Sequence, residues 1–242
     1  MLLVCAGVGA GLAGSIAGLA SLVSYPALLA VGLAPVAANV TNTVGLVFST
    51  FGSVLGSRTE LRGQGPHVRT LAVAAVLGGS VGAGLLLLTP SRAFELIAPW
   101  LIAASSLTIM LRPRARTRPD GAHGPDALLV GGVFLIGIYG GYFGAAAGVM
   151  LLALLVSLTR DTLARNNALK NAVLGIANGA AAVGFCLLAP VEWSAVAPLA
   201  VGLFAGARLG PVVVRHADAA LLRTAIGLAG LALAVKLGAD AY

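Results

Sequence analysis

Charge is scarce in this chain: Asp, Glu, Lys and Arg together make up 10% of its 242 residues. Soluble domains carry roughly a quarter charged residues, so the composition excludes a water-exposed globule. Cysteine is nearly absent. Cys5 and Cys186 both lie inside apolar runs, which excludes a disulfide scaffold and reads as two small packing residues. The three histidines, His67, His123 and His216, fall in separate segments, and no HExxH occurs. Neither a zinc site nor an acid–base pair assembles from neighbours in sequence, so no enzyme is expected and nothing requires a cofactor or metal. No carboxylate sits centrally in an apolar run: Glu60, Glu95, Asp161, Glu192 and Asp218 all mark ends or loops. That removes an evident Asp/Glu proton relay.

Hydrophobic residues, by contrast, make up 59% of the chain, and its mean hydropathy is +0.99. Apolar stretches cover 1–38, 40–57, 68–88, 96–111, 127–159, 172–189 and 194–207, and the stretch 219–237 is interrupted only by Arg223 and Lys236. Most match the ~20 apolar residues that span a bilayer core. The first lacks a basic leader and a small-residue cleavage site followed by polar sequence, so it reads as integral. A multi-pass protein of the bacterial plasma (inner) membrane is expected, with the lipid bilayer as its surroundings. The net charge of +7 does not indicate nucleic acid, because the basic residues sit at the ends of spans. Arg112, Arg114, Arg116 and Arg118, among Pro113, Pro119 and Pro125, form a tract that cannot be helical. Residues 112–126 therefore read as a cytoplasmic linker between a first membrane repeat, 1–111, and a second, 127–242.

Duplication is visible in the glycines. Gly7, Gly11, Gly14 and Gly18 recur as Gly137, Gly141, Gly144 and Gly148, 130 residues later. Asn42 and Asn171 correspond at 129, and Gly78 and Gly82 match Gly202 and Gly206 at 124, a drift that loop deletions would leave. If eight stretches each crossed once, the Lys and Arg residues would divide 8 against 7 between the faces. If the two long stretches instead enter and return, 13 share the cytoplasmic face and only Arg92 and Lys236 lie opposite. Positive-inside bias selects the second arrangement. Length agrees, since residues 1–32 as one helix would run about 48 Å against a core of about 30 Å. Breaks are expected at Ser24–Pro26 in the first half and from Gly140 to Gly148 in the second. The fold expected is an all-α membrane protein of two inverted-topology repeats, each one long broken or re-entrant helical stretch plus three transmembrane helices.

Irregular backbone at membrane depth is tolerated where protein or a water-filled cavity covers it. Two polar clusters follow the breaks: Asn39, Thr41, Asn42 and Thr43 in one half, and Asn166, Asn167, Lys170 and Asn171 in the other. Inverted halves would bring them together near the midplane with the helix N-termini of the breaks. Amide and hydroxyl donors, helix ends and one cation suit a small anionic substrate. The candidate binding residues are Asn39, Thr41, Asn42, Lys170 and Asn171, with Gly14, Gly18, Gly144 and Gly148 as the close-packed entry to the two broken segments. Two plainer readings stay open: glycines that only let helices pack closely, and a Lys170 that snorkels to headgroups beside N-capping Asn and Thr.

At these residues the chain resembles a known family. GAGLAGSIAG with Pro26 and Asn39 to Asn42, repeated as GGYFGAAAG with Asn171, is similar to the sulfite exporter TauE/SafE family over essentially the whole length. The resemblance implies a multi-pass inner-membrane permease for sulfite, organosulfonates or related sulfur-containing anions. Energetics agree with export: a monoanion leaving a negative-inside cell gains about 2.3 kcal/mol per 100 mV. An anion channel and a non-transporting membrane assembly subunit are the alternatives, and a homodimer is left open.

Overall fold

The computed structural model describes residues 1–110, 126–213 and 219–241, and their regular structure is entirely helical. The order is α1 (Leu2–Ala17), α2 (Ala20–Ala30), α3 (Pro35–Gly56), the single turn α4 (Arg58–Leu61), α5 (Gly65–Leu88) and α6 (Ser91–Met110). After these come α7 (Asp126–Tyr142), α8 (Ala147–Leu158), α9 (Leu163–Leu188), α10 (Trp193–Val213) and α11 (Ala219–Ala241). The expected linker 112–126 lies outside the described residues apart from Asp126, which opens α7.

Three described segments are long and apolar enough to cross a membrane: Gly65–Leu88, Leu163–Leu188 and Trp193–Gly210. The two over-long apolar stretches are each divided, giving the shorter pairs α1–α2 and α7–α8. Large apolar side chains face outward, among them Phe51, Leu88, Trp100, Leu135 and Val183. The interior is built largely of Ala, Gly, Val and Leu. Such an inside-out distribution suits hydrocarbon as solvent, where helices associate through close packing of small residues rather than by expelling water.

The glycine pattern explains the helix pairing. α1 packs on α10, which also packs on α3; α7 packs on α5, which also packs on α9; α3 meets α9, and α6 meets α11. A Cβ at Gly7 would lie 3.0 Å from Gly202 Cα, one at Gly11 would lie 3.1 Å from the Gly206 carbonyl carbon, and one at Gly82 would lie 2.9 Å from Gly141 Cα. Backbones in contact leave no room for a side chain, the condition that small-xxx-small spacing provides.

The breaks are made by left-handed residues. Gly18 has φ 75°, and its N–H closes α1 on Gly14 O at 2.8 Å. In the second half Gly144 has φ 76°, and Ala146 adopts φ 61°. The second break falls where the sequence puts it, but the first comes before Pro26, which lies inside α2. Pro26 removes one N–H, which would have bonded the Leu22 carbonyl, and its fixed φ is helical. Gly18 supplies the positive φ that reverses the chain.

Side-chain bonds group the connections by end. Gln64 Nε2 donates to Arg165 O at 3.1 Å and Arg165 Nη1 to Arg62 O at 3.2 Å, so the segments before α5 and before α9 lie together. Arg92 Nη2 donates to Ala241 O at 2.9 Å, joining the start of α6 to the end of α11.

Candidate functional site

The two breaks touch. A Cβ on Gly18 would lie 2.6 Å from Gly148 Cα, and one on Gly148 would lie 2.5 Å from Gly18 Cα. α2 and α8 begin at this contact. The first N–H groups of a helix have no partner within it and form the positive end of its dipole.

Beside the contact lies a cavity of about 50 Å³. That is several times the roughly 10–15 Å³ one water needs, and enough for a small polyatomic ion. Its walls come from Gly14, Gly18, Ala20 and Ser21 at the first break, Gly144 at the second, Ser49, Thr50 and Ser53 of α3, and Asn171 and Asn178 of α9. Among the described residues, no carboxylate or cation contributes to this wall. Thr50 and Ser53 donate to backbone oxygens of Leu46 and Thr50, at 3.3 and 3.1 Å. Ser21 Oγ accepts from Asn42 Nδ2 at 3.2 Å, and Asn42 Oδ1 accepts from Ser24 Oγ. A hydroxyl that already accepts keeps its own hydrogen to donate. Ser21 and the amides of Asn171 and Asn178 thus give the wall neutral donors beside a helix N-terminus, able to replace part of an anion's hydration without holding it by a full charge, whereas Thr50 and Ser53 spend their hydrogens on α3 itself.

Of the residues expected at the site, Gly14, Gly18, Gly144 and Asn171 line this cavity, and Gly148 closes against Gly18 behind it. Asn39, Thr41, Asn42 and Lys170 are buried but are not part of its wall. Lys170 is fully buried; its Nζ donates to Gly14 O at 3.2 Å and to Asn167 Oδ1 at 2.8 Å. Asn167 Nδ2 and Asn171 Nδ2 donate to Ser15 O at 2.9 and 3.4 Å. These α9 side chains satisfy carbonyls at the end of α1, where the dipole is negative and a cation is favoured. Asn39 Nδ2 does the same for α7, donating to Tyr142 O at 2.8 Å. Thr41 Oγ1 accepts from Glu192 N at 3.0 Å and ties the segment before α10 to α3.

Ser21, Ser49, Thr50, Ser53 and Asn178 are wall residues that the clusters in the sequence do not include. For Ser49, Ser53 and Asn178 the signal is a stripe, since Asn42, Ser49 and Ser53 on α3 fall at i, i+7 and i+11 and Asn171, Gly175 and Asn178 on α9 at i, i+4 and i+7, one face of each helix; Ser21 and Thr50 belong to neither stripe. On the side of α2 and α6 the breaks are sealed by rings. Tyr25 meets Phe143 edge-on at 5.5 Å, and Phe94 lies 6.0 Å from both Tyr142 and Phe143. Tyr139 Oη donates to Ala145 O at 2.6 Å, and Ser105 Oγ lies 2.9 Å from the same oxygen, fixing the left-handed turn of the second break.

Apolar helices turned outward and two interrupted segments meeting at a polar cavity are the marks of a multi-pass membrane transporter. The chain belongs to the sulfite exporter TauE/SafE family, whose model matches residues 3–237. It is 30% identical over 241 residues to the "Probable membrane transporter protein YfcA" of Escherichia coli (strain K12), covering 96% of this chain and 87% of that one. It is 26% identical over 238 residues to the "Probable membrane transporter protein ORF9" of Sinorhizobium sp, with 96% and 89% covered. A "Probable membrane transporter protein" of Haemophilus influenzae is 25% identical over 244 residues, with 99% and 94% covered. No solved structure matches. Membership makes the protein a membrane transporter and not an enzyme.

Proposed function

We propose that the protein exports a small sulfur-containing anion, sulfite or a close relative, across the bacterial inner membrane through the cavity where its two breaks meet. The observation that carries this reading is the cavity itself: the Ser21 hydroxyl and N-terminus of α2, the amides of Asn171 and Asn178 on α9 and the polar face of α3 surround a space of about 50 Å³. In this conformation the space suits a sulfite-sized ion, and an organosulfonate needs it to widen. The halves 1–111 and 127–242, joined by the linker 112–126, act as inverted repeats. Support comes from the exchange of partners between them, α1 on α10 and α3 against α7 on α5 and α9. Asn171 and the break glycines contact the anion; Asn42 orients Ser21; Lys170 and Asn39 hold the ends of the broken helices. One chain suffices for this site, and a homodimer is not required by it.

Purified protein in liposomes, tested for electrogenic flux with sulfite, sulfoacetate, taurine, sulfate and thiosulfate, checks the assignment. Saturable sulfite flux is expected, and no saturable response to any of them removes the sulfur-anion reading. The aromatic seal of Tyr25, Phe94 and Phe143 argues for alternating access rather than an open channel; unsaturable passage far above transporter turnover would reverse that choice. Wild-type flux from an Asn171→Ala, Ser49→Ala variant would place the transport path outside this cavity, and absence of flux from the wild-type chain itself would favour a non-transporting subunit.

A further inference from the structure

A second, larger cavity of about 440 Å³ lies at the end of the bundle where α6 begins and α11 ends. Its size falls in the range of small-molecule sites. The walls are apolar, formed by Pro26, Leu29, Pro35, Ala98, Leu233 and Leu237, and charge is confined to Arg92, Glu95 and Lys236. Arg92 Nη1 is 3.6 Å from Glu95 Oε2, so this acid is offset within the wall, and the other charged side chain lining it, Lys236, is a cation. Lys236 is exposed and lines the same rim. Tyr25 completes the wall; it is 2% exposed, and its hydroxyl has no hydrogen-bond partner among the described residues. A buried hydroxyl without a partner is costly, and an acceptor oxygen arriving with a ligand would relieve it.

We propose that this cavity binds one anionic phospholipid of the adjoining leaflet. The phosphate lies on Arg92 and Lys236, an ester carbonyl accepts from Tyr25, and the upper acyl chain runs along Leu29, Leu233 and Leu237. Three features support a lipid over a soluble anion. The cations stand at helix ends, the level of the headgroups; Val31 and Ile97, next in sequence to the wall residues Ala30 and Ala98, are exposed apolar side chains; and the deep Tyr25 hydroxyl asks for an uncharged acceptor. The site is separate from the transport cavity, with which it shares no wall residue among those described, so either reading can fail alone.

Native mass spectrometry of the full chain in detergent, with equal phosphatidylglycerol and phosphatidylcholine added, tests it. One phosphatidylglycerol is expected to remain bound at least about tenfold more often than phosphatidylcholine, a preference of about 1.4 kcal/mol. An Arg92→Gln, Lys236→Gln double variant should lose that preference, Tyr25→Phe should weaken retention several-fold, and Arg92→Lys should keep it, which separates charge from folding. Equal retention of the two lipids, or an unchanged preference in the double variant, overturns the proposal. So does displacement by millimolar hexanesulfonate without any lipid preference, which would hand the cavity to a soluble anion.

Discussion

Asn42 shows how a residue can matter to a cavity it does not line. Its amide donates to Ser21 Oγ and its carbonyl accepts from Ser24, so it fixes a hydroxyl at the start of α2. Asn42→Ala would free Ser21 to turn away. Anion affinity should fall several-fold through KM with little change in the folded fraction, read from flux against concentration and from size-exclusion profiles. Lys170 behaves oppositely because its ammonium is wholly buried against Gly14 O and Asn167. Hydrogen bonds to charged groups contribute about 1.5–3 kcal/mol each, so Lys170→Met should lower the thermal midpoint in detergent and reduce yield before affinity can be measured. If Lys170→Met melts as wild type and only loses sulfite affinity, the lysine serves the anion and not the end of α1.

At the scale of the element, the glycines divide into kinds. Gly18 carries both a left-handed φ and a backbone in contact, so Gly18→Ala combines a conformational cost of about 1–2 kcal/mol with overpacking of about 1–3 kcal/mol. It should abolish flux and destabilise the protein strongly. Gly84, inside α5, is the control, because a Cβ there would meet no atom within 4 Å. Gly84→Ala should be neutral or raise stability by about 0.5–1 kcal/mol, measured as the thermal midpoint. The same division explains what was legible in sequence. The broken stretches, the helical class and the 130-residue glycine register were readable because length and small-residue spacing act locally. The position of the first break was not, because Pro26 advertises a break, whereas Gly18, which makes one through its left-handed φ, is one glycine among many in the run. Likewise the sequence marks Lys170 as a candidate anion ligand and gives no sign that the end of α1 lies beside it. That neighbour is set by tertiary packing, which no local pattern encodes.

For the whole molecule, the bonds joining Gln64 and Arg62 to Arg165 predict a shared face for the segments before α5 and α9. With Cys5 and Cys186 replaced by Ser, single cysteines at Arg58 and Arg160 should react with an impermeant maleimide from the cytoplasmic side only, and one at Arg92 from the opposite side only. Reaction of the Arg160 position from outside would sink the inverted arrangement.

The contact between Gly18 and Gly148 has a mechanical corollary. Two chain reversals that rest on each other through bare backbone have no compliant side chain between them to absorb a displacement. A shift of one is handed to the other at full amplitude, as through a bearing without play. The reversals would then travel as a single part, and a bond tying either one to α3 or α9 would arrest both.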